Sequence, residues 1–125
     1  QKAIGHMPLW PTGEYFDDKF HWYYLSRNRR RNWDEPSLTI VSKARHMPLH
    51  PISPELRKLA PDCWEFTSDA PARRLSYREA AVLQGFPEDV QFPETAGMQL
   101  RYRVIGNAVP PTLFKAIADE LPDIW

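Results

Sequence analysis

A small, loop-rich α+β fold is predicted by three features: prolines spread along the whole chain, a short β-branched run, and two helix signatures in the second half. Thirteen prolines among 125 residues favour short elements joined by rigid turns, because each fixes φ and removes an amide donor. Hydrophobic residues at 42% and aromatics at 13% suffice for a core and are too many for a disordered segment. A domain of this size buries roughly two thirds of the surface its unfolded form exposes.

Residues 1–25 read as turns and aromatic-rich extended pieces, punctuated by Pro8, Pro11 and Gly13. His6-Met7-Pro8-Leu9 recurs as His46-Met47-Pro48-Leu49, but the flanks differ and no structural repeat is implied. Ser37-Leu38-Thr39-Ile40-Val41-Ser42 carries the signature of a strand. Residues 50–73 contain Pro51, Pro54, Pro61 and Pro71 and read as mostly loop. The first helix starts at Ser76-Tyr77-Arg78-Glu79, a capping box in which hydroxyl and carboxylate satisfy each other's backbone amides. It stops at Gly85, with Pro87 blocking continuation. The second starts near Pro110-Pro111, where a first turn needs no amide donor. Val109, Leu113, Ile117 and Leu121 form one apolar stripe, and Pro122 ends it. Little regular structure precedes that stripe to cover it, so the helix is expected to complete a larger domain.

No apolar run approaches the roughly 20 residues of a membrane span, and no charged-then-apolar leader opens the chain, so secretion is not expected. Cys63 is the one cysteine; it offers no internal disulfide and no zinc pattern with four scattered histidines. The expectation is a cytoplasmic protein with an incidental thiol. The start at Gln1, without methionine, is read as an excised or processed piece of a longer polypeptide. A formal net charge of zero hides an uneven distribution. Arg27, Arg29, Arg30 and Arg31 cluster, Lys43 and Arg45 follow, and Asp119 to Asp123 is acidic. Such a pattern suits a protein that meets a polyanion on one face, although a solvated basic loop reads the same way.

Two segments narrow the choice. Arg74-Leu75-Ser76-Tyr77-Arg78-Glu79, followed by Gln84-Gly85-Phe86-Pro87, resembles motif IX of the DNA cytosine-5 methyltransferases. Arg103-Val104-Ile105-Gly106-Asn107-Ala108-Val109-Pro110-Pro111 resembles their motif X. Each alone is generic, a capped helix and a glycine–asparagine turn; their order and separation make the pair specific. Tyr24 to Pro36, with Ser26-Arg27-Asn28-Arg29 inside it and continuing to Leu49-His50-Pro51, resembles the target-recognition region of bacterial members that modify GGCC-type sites. The relatives' later Ser-Gly-Arg segment reads here as Ser42-Lys43-Ala44-Arg45, so its glycine is lost and base preference need not be identical. Lys2-Ala3-Ile4-Gly5 looks like the tail of the family's Ala-Ile-Gly segment. The resemblance covers nearly the whole chain and is weakest over residues 52–72.

The resemblance implies double-stranded DNA as partner and S-adenosylmethionine as cofactor, in a bacterial cytoplasm. Residues 1–72 would form the target-recognition region and 73–96 a motif IX scaffold. Residues 97–125 would return to an α/β methyltransferase domain largely absent from this chain. Arginine suits guanine because its planar fork donates twice to O6 and N7. The resemblance makes Arg27, Arg29 and Arg45 candidates for bases, with Arg30, Arg31 and Lys43 on phosphates. Asn107, Ala108 and Val109 would border the methionine end of the cofactor, near a helix mouth that favours a carboxylate. Arg74, Arg78 and Glu79 would make internal scaffold contacts, with a phosphate contact by Arg78 as the alternative. Trp33 and Trp64 read as core before they read as base-stacking platforms.

The family's chemistry requires a Pro-Cys thiolate, a Glu-Asn-Val glutamate and a Phe-x-Gly-x-Gly cofactor loop, acting on a flipped cytosine. Cys63 lies in Pro61-Asp62-Cys63-Trp64 and matches none of them. No catalytic residue and no metal site is therefore assigned, and the chain alone is not expected to methylate DNA. It would be a fragment, the small subunit of a split enzyme, or a non-catalytic DNA-binding relic. Its partner would be the missing N-terminal catalytic portion, or a second copy meeting it through the final helix.

Overall fold

The computed structural model describes residues 2–122. Gln1 and the end of the expected acidic stretch, at Asp123, lie outside the described residues, as do residues 124–125 of the motif X segment. The order of elements is a hairpin, β1 (Leu56–Ala60) and β2 (Cys63–Phe66), followed by α1 (Tyr77–Leu83), α2 (Met98–Asn107) and α3 (Pro111–Asp119). Two single 3-10 turns, Tyr24–Ser26 and Ala44–His46, interrupt the long irregular first half.

Three stretches differ from or add to what the sequence predicts. Residues 37–42 run as irregular chain rather than a strand. Their buried neighbour is the last turn of α2, because a Cβ on Gly106 would sit 2.4 Å from the backbone of Val41 and Ser42. A helix backed against the segment replaces the strand partner that a ladder would need, and the β-branched side chains serve burial instead, Ile40 being 7% exposed. Second, residues 50–73 are mostly loop, as the sequence predicts, but they also hold a short hairpin. Pro54 precedes β1 and Pro61 sits in the connecting turn, so neither removes a ladder donor. The strands pair antiparallel as Leu56↔Phe66, Arg57↔Glu65 and Lys58↔Trp64, with an irregularity before Ala60↔Cys63. Asp62 takes a left-handed φ of 54° in the turn, a conformation that aspartate tolerates better than most residues.

Third, there is a helix more than the two signatures announce. In α2 only Tyr102 and Ile105 are buried, so its apolar face is too narrow to show as a stripe. Gly106-Asn107, read as a turn, forms its final helical turn. Glycine is needed there for close approach, not for a left-handed φ.

The capping box forms as the sequence predicts: the Glu79 amide donates to Ser76 Oγ at 3.1 Å, and the Ser76 amide to Glu79 Oε2 at 2.8 Å. Gly85, at φ 95°, then turns the chain out of α1. The core draws Ile4, Ile40, Ala44 and Met47 together with Leu75, Tyr77, Ala80, Ala81, Tyr102 and Ile105. All three sequence segments therefore share one core. In contrast, α3 buries no residue. Leu113, Phe114, Ile117 and Leu121 are each more than half exposed, as is Val109 before it.

Candidate nucleic-acid interface

The site rests on a buried polar centre at the start of α1. Arg73, fully buried, grips Glu79 with both terminal nitrogens, at 2.8 and 2.7 Å. Its Nε donates to the Leu9 carbonyl at 2.7 Å. Such a planar fork on a planar carboxylate is the strongest common form of ion pair. His50 places Nε2 3.5 Å from the same carboxylate, while its Nδ1 accepts from the Ile52 amide at 3.1 Å. Burial pushes the His50 pKa down to about 4, against the pull of Glu79 and with the help of Arg73. The imidazole is neutral at pH 7.

Arg74 is 1% exposed. It donates to the carbonyls of Arg45 (3.0 Å), Phe16 (3.1 Å) and Asp18 (2.8 Å). Its guanidinium lies over the rings of Phe20 and Tyr24, at 4.5 and 4.6 Å. Burial lowers its pKa. Arg78 reaches Glu14 at 3.1 Å. Through these side chains α1 ties down both the aromatic N-terminal loops and the backbone that presents Arg45. Arg73 and His50 were not singled out from the sequence; only the buried carboxylate's need for a partner points to them.

The arginine run does not stay together. Arg29 is 9% exposed; its Nε donates to the Tyr24 carbonyl at 2.9 Å and its guanidinium lies over the Tyr24 ring. Arg30 donates to Ser53 O, Pro51 O and Asn32 Oδ1. Arg31 pairs with Glu35 at 3.5 Å. Arg30 and Arg31 line a hollow that also contains Glu35 and Glu55, which offsets their charge.

Arg27, Lys43 and Arg45 are exposed and make no ion pair among the described residues. They gather around His46, which lines three adjoining clefts. One holds Arg27, Asn28, Arg29 and Thr39. Another is walled by His21, Trp22, Tyr23 and Arg45. The largest, about 550 Å³, combines Lys43 and Arg45 with Gln99, Arg103 and Asn107 of α2. The His46 pKa is lowered by partial burial and then by Arg29, Lys43, Arg45 and Arg27 in turn. That ranking shows four of the six predicted cations acting on one side chain. Trp22, 81% exposed, meets Tyr23 edge-on at 5.8 Å, and Tyr23 meets His46 at 5.3 Å. Neither Trp22 nor Arg103 was a sequence candidate. Trp33 packs against the core and meets His50 at 5.1 Å; Trp64 is half-buried in the hairpin.

Motifs IX and X meet at the junction of α2 and α3. Gln84 Nε2 donates to the carbonyls of Ala108 (2.9 Å) and Ile105 (3.3 Å), closing the C-terminal end of α2. A Cβ on Gly85 would touch Pro111 at 3.4 Å. Asn107 thus ends α2 rather than opening α3, and Pro110 precedes the first turn of α3 without a side-chain cap. Asn107 and Val109 are exposed and Ala108 half-buried, which fits one open wall of a cofactor site and no more of it.

A basic surface lies beside the capped helix α1, to which α2 and α3 are locked through Gln84 and Gly85. The chain belongs to the C-5 cytosine-specific DNA methylases, whose family model matches residues 5–123. It is 42% identical over 113 residues to the type II methyltransferase M.MthTI of Methanothermobacter thermautotrophicus, covering 89% of this chain and 34% of that one. It is 39% identical over 128 residues to M.BsuRI of Bacillus subtilis, covering 95% and 29%. M.BspRI of Lysinibacillus sphaericus is 33% identical over 130 residues, covering 97% and 30%. The chain spans about a third of the length of these relatives. No helix among the described residues is long and apolar enough to cross a membrane.

Proposed function

We propose that this chain is the DNA-recognition and C-terminal portion of a DNA (cytosine-5-)-methyltransferase, of the type found in bacterial restriction–modification systems and acting in the cytoplasm. The observation that carries this reading is the uncovered apolar face of α3, beside a recognition surface that is otherwise internally tied. A face of Leu113, Phe114, Ile117 and Leu121 left in water fits a helix completing another layer, here the catalytic portion bearing the Pro-Cys and Phe-x-Gly-x-Gly segments. Residues 1–72 read the target, 73–96 anchor that region, and 97–125 return to the catalytic portion, with α3 as the part that docks on it.

On the recognition side, Arg27 and Arg45 would read guanine edges of a GGCC-type site, and Lys43 would hold phosphate. Arg29 braces the loop through Tyr24 and reaches a base only if that loop rearranges on DNA. Arg30 and Arg31, which share a hollow with Glu35 and Glu55, would meet phosphate only at the periphery. Asn107, Ala108 and Val109 would form one wall for S-adenosylmethionine, which supplies the methyl group when bound. The nucleophile and the rest of the pocket come from the catalytic portion, so the chain alone is inactive.

Mixing the chain with a polypeptide that carries the family's earlier motifs tests this reading by methyl transfer to a GGCC-containing duplex. Transfer with both components, and none with either alone, is the expected result. DNA binding without rescue would make the chain a non-catalytic binding module, and the absence of both would end the proposal.

A further inference from the structure

We propose that Arg103, on α2, is a DNA-phosphate ligand that extends the recognition surface onto the motif X segment. The inference rests on the DNA-recognition reading above and assigns it a residue outside the recognition region.

Three observations converge on Arg103. It lines the cleft of about 550 Å³ together with Lys43 and Arg45, and among the described residues no carboxylate lines that cleft with them. It is exposed and makes no ion pair among the described residues. Its position is fixed by backbone packing. Gly106, one turn further along α2, leaves no space for a side chain against Val41 and Ser42, and Gln99 Nε2 donates to the Ser42 carbonyl at 3.4 Å. The helix is therefore pinned to the segment immediately before Lys43, so the three cations cannot separate without breaking that contact.

Three like charges held together with no counter-ion repel one another, and the arrangement is stabilised when a polyanion neutralises them. Gln99 adds a neutral donor to the same cleft, as suits phosphate oxygens along a strand. The cleft shares its lining residue His46 with the clefts of Arg27 and Trp22. A helical arginine contributes charge from a rigid mount. It adds affinity without sequence preference, unlike Arg27 and Arg45.

The test is a salt titration of duplex binding by fluorescence anisotropy, comparing the full chain with Arg103→Gln and Arg103→Lys. Arg103→Gln should lower affinity roughly tenfold at low salt and reduce the slope of log K against log salt by about 0.9. The loss should be equal on GGCC-containing and unrelated duplexes, with the thermal midpoint unchanged. Arg103→Lys should restore the slope. A wild-type slope and affinity for Arg103→Gln, on a parent that binds duplex DNA, would overturn this inference alone. A parent chain that binds no duplex would overturn the recognition reading as well. A loss confined to the GGCC-containing duplex would also overturn it, by making Arg103 a base reader.

Discussion

Ile105 and Ile117 are the same side chain on successive helices, one fully buried and the other 56% exposed. Around Ile105, α2 is pinned by Gly106 to Val41 and Ser42, capped by Gln84, and anchored by the Tyr102 hydroxyl donating to the Leu75 carbonyl at 2.7 Å. Around Ile117, α3 has a stronger amphipathic pattern, and among the described residues nothing buries its apolar face. Hydrophobic periodicity thus measures how much a helix needs a partner, not whether its own chain supplies one. The same contrast separates the buried Arg73–Glu79 centre, where each charge finds its complement, from the cations around His46, where none does.

Substitutions can break the satisfied half of this contrast, beginning with its ion pair. Glu79→Gln keeps the shape and the capping amide but leaves Arg73 buried without its counter-charge. Urea unfolding should show a loss of about 3–5 kcal/mol. A loss under about 1 kcal/mol would mean that water reaches the pair. Next, Ile105→Ala should cost about 2–5 kcal/mol, whereas Ile117→Ala should stay within about 0.5 kcal/mol in the chain alone. Equal losses would remove the distinction between the two helices.

His50 gives a smaller effect with a defined sign. Its folded pKa, about 4, lies below the ordinary 6.5, so between those values the unfolded chain binds more protons. Stability should therefore be complete above pH 6.5 and fall by up to about 3 kcal/mol as the pH drops to 4. In His50→Gln, thermal midpoints across that window should show a shallower fall; an unchanged profile would assign the acid sensitivity elsewhere. Smallest is Gly106→Ala, whose methyl group meets backbone at 2.4 Å. It should cost about 1–3 kcal/mol and, by displacing α2 from Ser42, weaken DNA binding through Arg103. Unchanged stability would show that residues 41–42 yield freely.

The sequence made α1 and α3 legible because their signals are local: a capping box with a stop at Gly85, and a stripe opened and closed by prolines. The hairpin was hidden by its prolines, which flank the strands instead of interrupting them. The segment 37–42 was misread because β-branched residues signal burial on a pleated surface or elsewhere, and here the cover is a helix. The basic residues were visible, but not their division, since only the fold sends Arg30 and Arg31 towards Glu35 and Glu55 and leaves Arg27, Lys43 and Arg45 around His46. Trp22 belongs to no spaced pattern, and Arg103 belongs to the motif X segment, which points to the cofactor side and not to the basic residues of the first half. What brings them to the surface strip is contact between distant segments.

Hydrogen exchange on the amides of α1 and α3 tests most directly whether α3 belongs to a layer outside this chain. It compares the chain alone with the chain mixed with the catalytic portion of a family member. The account predicts slow exchange for α1 in both samples, and fast exchange for α3 alone that becomes slow in the mixture. Protection of α3 equal to that of α1 in the isolated monomer, unaltered by the partner, would contradict it.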